Sequence, residues 1–373
     1  MGWRHIATRL NGDGTETLLT GDVPITGATH REDLSGPGEI RGTIAPEIAR
    51  LKTDKDEPIF VPWSTAIYAE KDGHLRAGGI LDGFKERGPN LTLSCVGFTG
   101  YLQGQPYNGI RSEVDVDPLD MARHLWQHKQ AMTGGNLGLL LDSTKSPVRI
   151  GSVLEQVEFT TDAGEEVSFE AGPYTLQWWK TYDMGREFDD LAASTPFDYR
   201  VTHEWSGEKI VHRLRLGYPN LGRRQHDLRF MVGENVFTTP EIDYSGSQFA
   251  SEVVVLGAGE GRKMIRGTAP RVTNRLHRAV VVQDKTLTTK KAANALAARE
   301  LAERLGEADV SQIVVPDHEH APIGSYDVGD EILLQSRQGW TAELNLWVRI
   351  LAIITAPEKN HCTLTVARVE KVT

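Results

Sequence analysis

The chain has 373 residues, enough for two to four domains, and a chain of this length buries roughly three quarters of its unfolded surface, so it folds without disulfide or metal staples. A formal net charge of -10, from 41 basic and 51 acidic residues, argues against a nucleic-acid binder, whose affinity depends on Lys and Arg neutralising phosphates. Two cysteines are too few for a disulfide framework, no stretch reaches the roughly 18 apolar residues of a membrane helix, and the Met1-Gly2-Trp3-Arg4-His5 start lacks a signal-peptide core. The expectation is a soluble protein with no membrane-spanning segment, not exported by a cleaved signal, with Cys95 and Cys362 as buried thiols in a reducing cytoplasm.

Residues 1–108 read as β. Trp3 to Leu10 alternates, Asn11-Gly12-Asp13-Gly14 turns and Thr15 to Leu19 returns; Asn-Gly and Asp-Gly favour type I′ turns, which need positive φ at both central positions. Ser64 to Glu70, Leu75 to Phe84 and Leu91 to Phe98 complete a meander, and closure into a barrel with the earlier strands is the expected outcome.

Residues 109–218 read as an α+β domain. Asp117-Pro118 starts a helix, with Asp as N-cap and Pro at the first helical position; Leu119, Ala122, Leu125 and Trp126 give it an apolar stripe to about Gln130. A second helix, Met184 to Ala193, is capped by Asp183 and stopped by Pro196. Phe197 to Glu204 and Lys209 to Leu216 form a hairpin about Trp205-Ser206-Gly207-Glu208.

From 219 the β pattern resumes at Leu228 to Val232, Val236 to Thr239 and Ser251 to Leu256. An inserted α/β subdomain, 256–310, carries Arg278 to Gln283 and a helix from Thr289 to Leu305. That helix has Ala293, Ala297, Leu301 and Leu305 on one ridge and Gly306 as its C′ glycine. Strands return at Ile332 to Leu334, Leu344 to Ile354 and Cys362 to Val369. The fold class is therefore mainly β with α+β inserts: a first β-barrel (1–108), an α+β domain, a second, discontinuous barrel (219–255 with 311–373) and the insert.

The two barrels share a faint echo. Ile80-Leu81 and Ile350-Leu351 are each followed ten positions after the Ile by Asn90 or Asn360 and then by a Thr-Leu-(Thr/Ser) strand. Each is preceded by a hairpin with a polar tip, Lys71-Asp72-Gly73 or Ser336-Arg337-Gln338-Gly339. The pattern reads as two copies of one small module.

No catalytic constellation emerges. Val253 to Gly261 imitates a dinucleotide fingerprint, but its third glycine falls one position early, Arg262 holds the proper place, and Gly267 and Pro270 forbid the helix that would cradle a pyrophosphate. His318-Glu319-His320 puts two imidazoles on one face if it is a strand, yet lacks further metal ligands. Asp115, Asp117 and Asp120 suit the positive end of a helix dipole. Glu165-Glu166 and Asp189-Asp190 are neighbours in sequence, whereas glycosidase carboxylates come from separate elements. Trp178-Trp179, read as strand, sends one ring to each face. No catalytic, cofactor or metal residue is assigned.

The order barrel, α+β unit, barrel with inserted helix resembles the phage tail-hub (baseplate-hub) family, and looks most like minor tail proteins of long-tailed phages infecting actinobacteria. Leu216-Gly217-Tyr218-Pro219 with Gly222-Arg223, the Ser251 to Gly261 segment, and Val328-Gly329-Asp330-Glu331-Ile332 with Trp347-Val348-Arg349-Ile350 carry that resemblance, which covers nearly the whole chain. It implies a non-enzymatic structural protein of the virion tail tip: a homotrimer closing the tail tube, adapting a sixfold distal tail ring to threefold tip proteins. Further partners it implies are the C-terminus of the tape measure protein, other minor tail proteins and genomic DNA in transit. Lysin and carbohydrate-binding extensions of some relatives have no counterpart before Thr373. Trimerisation gives a summed charge of -30 (3 × -10) and the expectation of an acidic lumen. The rival readings are a tail-associated cell-wall hydrolase, needing convergent titratable groups in a cleft, and a glycan-binding tip module, using Trp178 or Trp179 as a platform.

Overall fold

The computed structural model describes residues 2–88, 90–160, 166–195, 197–237, 242–243, 249–259, 261–284, 287, 289–304, 309–337 and 344–369. Pro89, Glu165, Pro196, Thr239, Glu260, Leu305, Gly306, Gln338 and Gly339, which figured in the expectations above, lie outside them. The chain is mainly β and gathers into two compact units. One contains residues 1–150, 175–239 and 312–366; the other contains 151–174, 240–311 and 367–373.

The first seven strands are β1 (Trp3–Leu10), β2 (Glu16–Thr20), β3 (Thr26–Asp33), β4 (Glu39–Ile44), β5 (Thr65–Lys71), β6 (His74–Arg87) and β7 (Asn90–Gly97), with the short helix α1 (Pro46–Ala49) after β4. The β5–β6 hairpin closes Lys71 on His74 through Asp72 (φ 53) and Gly73 (φ 86), the left-handed pair that its Asp-Gly dipeptide predicts. Alternation puts Ala7, Ile40, Ile67, Ala69, Leu81, Leu93 and Cys95 into one core.

The middle of the chain runs β8 (Ile110–Glu113), α2 (Pro118–Ala131), β9 (Leu139–Leu141), β10 (Glu155–Thr160), β11 (Glu166–Ala171), β12 (Tyr174–Gln177), α3 (Met184–Ser194), β13 (Asp198–Ser206) and β14 (Lys209–Gly217). Helix α2 starts where expected: the Asp117 carboxylate accepts from the Leu119 N–H (3.0 Å), and also from the Ser146 N–H and hydroxyl (2.8 Å each). Leu119, Ala122, Leu125 and Trp126 are fully buried. Replacing Asp117 by Ala removes the cap and strands two buried donors, an expected loss of about 2 kcal/mol measurable by denaturant melts. Asp183 caps α3 through the N–H groups of Gly185 and Arg186 (2.9 and 3.1 Å). Strands β13 and β14 form the expected hairpin.

The remaining elements are β15 (Arg224–Met231), β16 (Ile242–Asp243), β17 (Glu252–Leu256), β18 (Arg266–Pro270), β19 (Ala279–Gln283), α4 (Lys290–Arg304), β20 (Asp309–Val310), β21 (Gln312–Pro316), β22 (Glu331–Ser336), β23 (Leu344–Ala356) and β24 (His361–Arg368). In the smaller unit, β18-β17-β19 form a sheet, and Ala293, Ala297 and Leu301 of α4 pack on Val253, Val255 and Ile265. Of the strand expected at Val236 to Thr239, the described residues show an isolated bridge between Val232 and Val236.

The larger unit carries a twelve-stranded sheet, in which β15-β22-β23-β3-β4-β7-β6-β5-β1-β2 form the main path and β24 pairs β23 and β21. Among the described residues no pairing closes this sheet into a barrel. The two halves join because the C-terminal part of β23 pairs antiparallel with β3, Ala352 to Asp33 and Thr355 to His30. Strand β3 carries no apolar alternation: in Thr26-Gly27-Ala28-Thr29-His30-Arg31-Glu32-Asp33 only Ala28 and His30 are fully buried, with Glu32 and Asp33 half-buried.

One topology occurs twice in this sheet. In the first half, strands met in chain order as β1, β4, β5, β6, β7 lie in space as β1-β5-β6-β7-β4; in the second, β15, β21, β22, β23, β24 lie as β15-β22-β23-β24-β21. Ile80 and Ile350 fall on the equivalent strands β6 and β23, and Cys95 and Cys362 on β7 and β24. The halves differ at the first pairing, antiparallel for β1 with β5 and parallel for β15 with β22.

Candidate functional site

The residues singled out in the sequence do not converge. Trp178 and Trp179 sit in a turn after β12 and not on a strand, so both rings reach solvent together. They are 59% and 39% exposed and meet edge to face at 5.2 Å. Tyr182, also exposed, donates its hydroxyl to the Trp179 carbonyl (2.5 Å). His318 and His320 occupy a turn beyond β21, not a strand. Their rings lie 5.1 Å apart, with the His320 N–H on His318 Nδ1 (3.2 Å) and Glu234 3.5 Å from His320 Nε2. No group of three or more His, Cys, Asp or Glu among the described residues is placed to hold a metal ion.

The acidic candidates are local structure. Asp117 is the cap described above, Asp115 has a positive φ of 54°, and Asp120 pairs with Arg123 (2.6 Å) and Lys145 (2.7 Å). Asp189 accepts from the Tyr199 hydroxyl (2.5 Å) and Gln103 (3.0 Å), while Asp190 points to Arg186 at 3.9 Å. Glu166 only opens β11. At the glycine-rich segment, β17 runs into a single 3-10 turn, Gly261–Lys263, and then β18. The Gly257 and Ala258 N–H groups are spent on the Ile265 and Leu287 carbonyls (2.8 Å each), so these two do not cradle a phosphate. Burial raises the pKa of both thiols, the opposite of an activated cysteine.

Three polar clusters escaped sequence reasoning because hydrogen bonds between side chains of different elements leave no periodic signal in the chain. Tyr68 donates to Glu16 (2.7 Å), His212 Nε2 faces the same carboxylate (3.0 Å), and His212 Nδ1 meets His203 Nδ1 at 2.9 Å. With Nε2–H donating to Glu16, a neutral His212 accepts at Nδ1 and His203 donates. All three ring residues are buried, so this chain of bonds fastens β13 and β14 to β2 and β5. Burial and the neighbouring His212 hold His203 well below the ordinary histidine range. A second pair, His5 and His30, meets at 2.8 Å between Nε2 atoms; burial lowers His5 to about 4 and His30 to about 3. In the third, His124 takes a bond from Arg111 at Nδ1 (3.0 Å) and faces the Tyr107 hydroxyl at Nε2 (2.9 Å); burial lowers it to about 4.

The individually weak motifs of the sequence do converge, on a different spot. Arg349 of β23, 3% exposed, donates to the carbonyls of Gly329 (3.1 Å) and Leu221 (2.8 Å), to Asn220 (3.1 Å) and to the Asp198 carboxylate. Asp330 accepts from the Arg223 N–H (2.9 Å) and from Gln225 (2.6 Å). A Cβ on Gly222 would stand 2.2 Å from the Gly329 carbonyl carbon, so only glycine lets these two loops touch. The knot ties β13, β15, β22 and β23 together.

Neither a family model nor a curated protein sequence matches the chain. Its fold is that of phage tail proteins. It is similar over 99% of both chains to the 43 kDa tail protein of prophage MuSo2 from Shewanella oneidensis (12% identity, TM-score 0.59). It is also similar to a tail protein from Neisseria meningitidis MC58 (13% identity, TM-score 0.56, 100% of this chain and 98% of that one). A third match is the prophage tail protein gp18 from Listeria monocytogenes EGD-e (12% identity, TM-score 0.55, 99% and 95%).

Proposed function

We propose that the chain is a structural tail-hub protein. It acts as a homotrimer that closes the distal end of the tail tube, joins a sixfold ring to threefold tip proteins, and opens for DNA. The observation that carries this is the strand order that occurs twice. Two like modules per chain in three chains present six similar faces (2 × 3), the arrangement by which a threefold body seats on a sixfold ring. The domain reading belongs to the same proposal: a first module in 1–108, an α+β part in 109–218, a second module in 219–255 with 311–373, and the insert 256–310. The tape measure C-terminus and other tip proteins are its further partners, and the acidic composition, tripled, repels passing DNA. Full-length likeness to three tail proteins supports the general class; among the described residues no observation favours the hydrolase, since Asp117, Asp120, Asp189 and Asp190 are capped or paired separately. The exposed Trp178–Trp179–Tyr182 group favours glycan contact as a second reading. Mass photometry of purified tail tips tests the main one: three copies are expected, and one or six copies overturn it.

A further inference from the structure

Where β3 meets β23, the larger unit contains a cavity of about 560 Å³, within the size range of small-molecule sites. The ends of β3, β13 and the 323–328 loop wall it. Its charges are mostly spent on one another: Arg31 holds Asp33 through Nε (2.8 Å) and Arg200 holds Asp327 (2.9 Å). Glu32 makes no hydrogen bond or ion pair among the described residues. Its carboxyl is pushed up to about 7 by burial, with Asp327 adding to the rise and Arg200 and Arg76 opposing it. The wall also carries donors without partners among the described residues, Arg76 Nε, Trp3 Nε1 and Thr202 Oγ1. Aromatic surface comes from Trp3, Phe98 and Trp205.

These features select a ligand chemistry. A phosphate or other polyanion would meet Glu32, Asp33 and Asp327, with only Arg76, already donating to the Gly324 carbonyl (3.1 Å), to hold it. An apolar molecule would leave the Glu32 carboxyl and the Arg76 Nε–H desolvated and unpaired, a cost of about 1–3 kcal/mol for each group. A metal ion lacks a three-ligand cluster among the described residues. What matches an acceptor, several donors and flat ring faces is a molecule whose hydroxyls both give and take hydrogen bonds.

We propose that this cavity binds a neutral, hydroxyl-rich small molecule of monosaccharide size. Glu32 and Asp33 lie in the segment of β3 that pairs with Ile353 and Ala352 of β23. A bound molecule that reaches from there to Thr202 of β13 therefore clamps the seam between the two five-strand modules.

The test is calorimetric titration of the whole chain with glucose, galactose, N-acetylglucosamine and, as a zwitterionic probe, glycine. Saturable millimolar binding of a sugar is expected, weakened at least about tenfold in both Glu32→Gln and Thr202→Val. It is expected to be unchanged in a Trp178→Ala/Trp179→Ala double variant, which separates this cavity from the surface aromatic group. Melting without ligand verifies that each variant is folded, and Glu32→Gln keeps the side-chain shape. Absence of sugar binding, binding of glycine in place of sugars, sugar affinity unchanged in the Glu32 and Thr202 variants, or affinity lost in the tryptophan double variant each overturns the proposal. Copy number at the tail tip is independent of every one of these outcomes.

Discussion

Replacing Arg349 by methionine is expected to destabilise the larger unit by about 3–5 kcal/mol, a fall in Tm of roughly 10 °C. Methionine fills much of the volume, so the loss comes from what the guanidinium leaves behind: the Asp198 carboxylate and the carbonyls of Gly329 and Leu221 lose their donor. Asp198 also accepts from the Leu221 N–H (2.7 Å), so it becomes a half-buried carboxylate with one neutral donor remaining. A half-broken buried pair costs far more than a missing one. Arg349→Met combined with Asp198→Asn therefore recovers part of the loss. The exposed pair of Arg224 with Glu331 (2.7 Å) supplies the contrast, with Arg224→Ala costing less than about 1 kcal/mol. A Tm for Arg349→Met within about 2 °C of the parent chain would show that the knot does not hold the strands together.

Arg349 also shows what kind of information the sequence held. Helices α2 and α3 were legible because capping is local: Asp117 and Asp183 act on N–H groups two or three residues away. The β5–β6 hairpin was legible for the same reason. Strand β3 was not, because its faces pack against distant strands and the polar cavity, so its residues follow no apolar alternation. Among the described residues no pairing closes the expected barrels: β3 ties to β23, and the two halves share one sheet. Trp178-Trp179 suited a strand by β propensity, but the chain turns there, and nothing in the dipeptide signals a turn. The echo of Ile80 and Ile350 was readable because equivalent strands bury equivalent positions. The buried histidine pairs were invisible: His5 and His30 join strands that sequence does not place side by side, and His203 and His212, although on the expected β13–β14 hairpin, face each other only in its particular register.

Those histidines set the second large effect, a loss of stability on mild acidification. A histidine whose native pKa lies below its unfolded value favours folding fully above about pH 6.5, and that contribution is lost as pH falls toward the native pKa. His5 (about 4), His30 (about 3) and His124 (about 4) all behave in this sense, as does His203 by direction. Glu32, raised to about 7, opposes them: its carboxyl takes up a proton more readily in the native chain, so it favours folding as pH falls from 7 towards the usual carboxylate range. The histidines outnumber it. At about 1.4 kcal/mol per proton per pH unit, a net three protons (four histidines less one carboxyl) corresponds to a loss of up to about 4 kcal/mol per pH unit below pH 6.5. Glu70, held low mainly by its bond to Arg4, loses its contribution only below the ordinary carboxylate pKa, so its window is separate. Urea titrations from pH 7.5 to 4.5 read the slope, and His30→Gln, which keeps a hydrogen-bonding group opposite His5, is expected to reduce it by about one proton. Stability that stays level between pH 6.5 and 5 would mean that the pairs are already protonated in the native chain. The 2.8 Å contact between His5 and His30 would then need two N–H groups facing each other, which the geometry forbids.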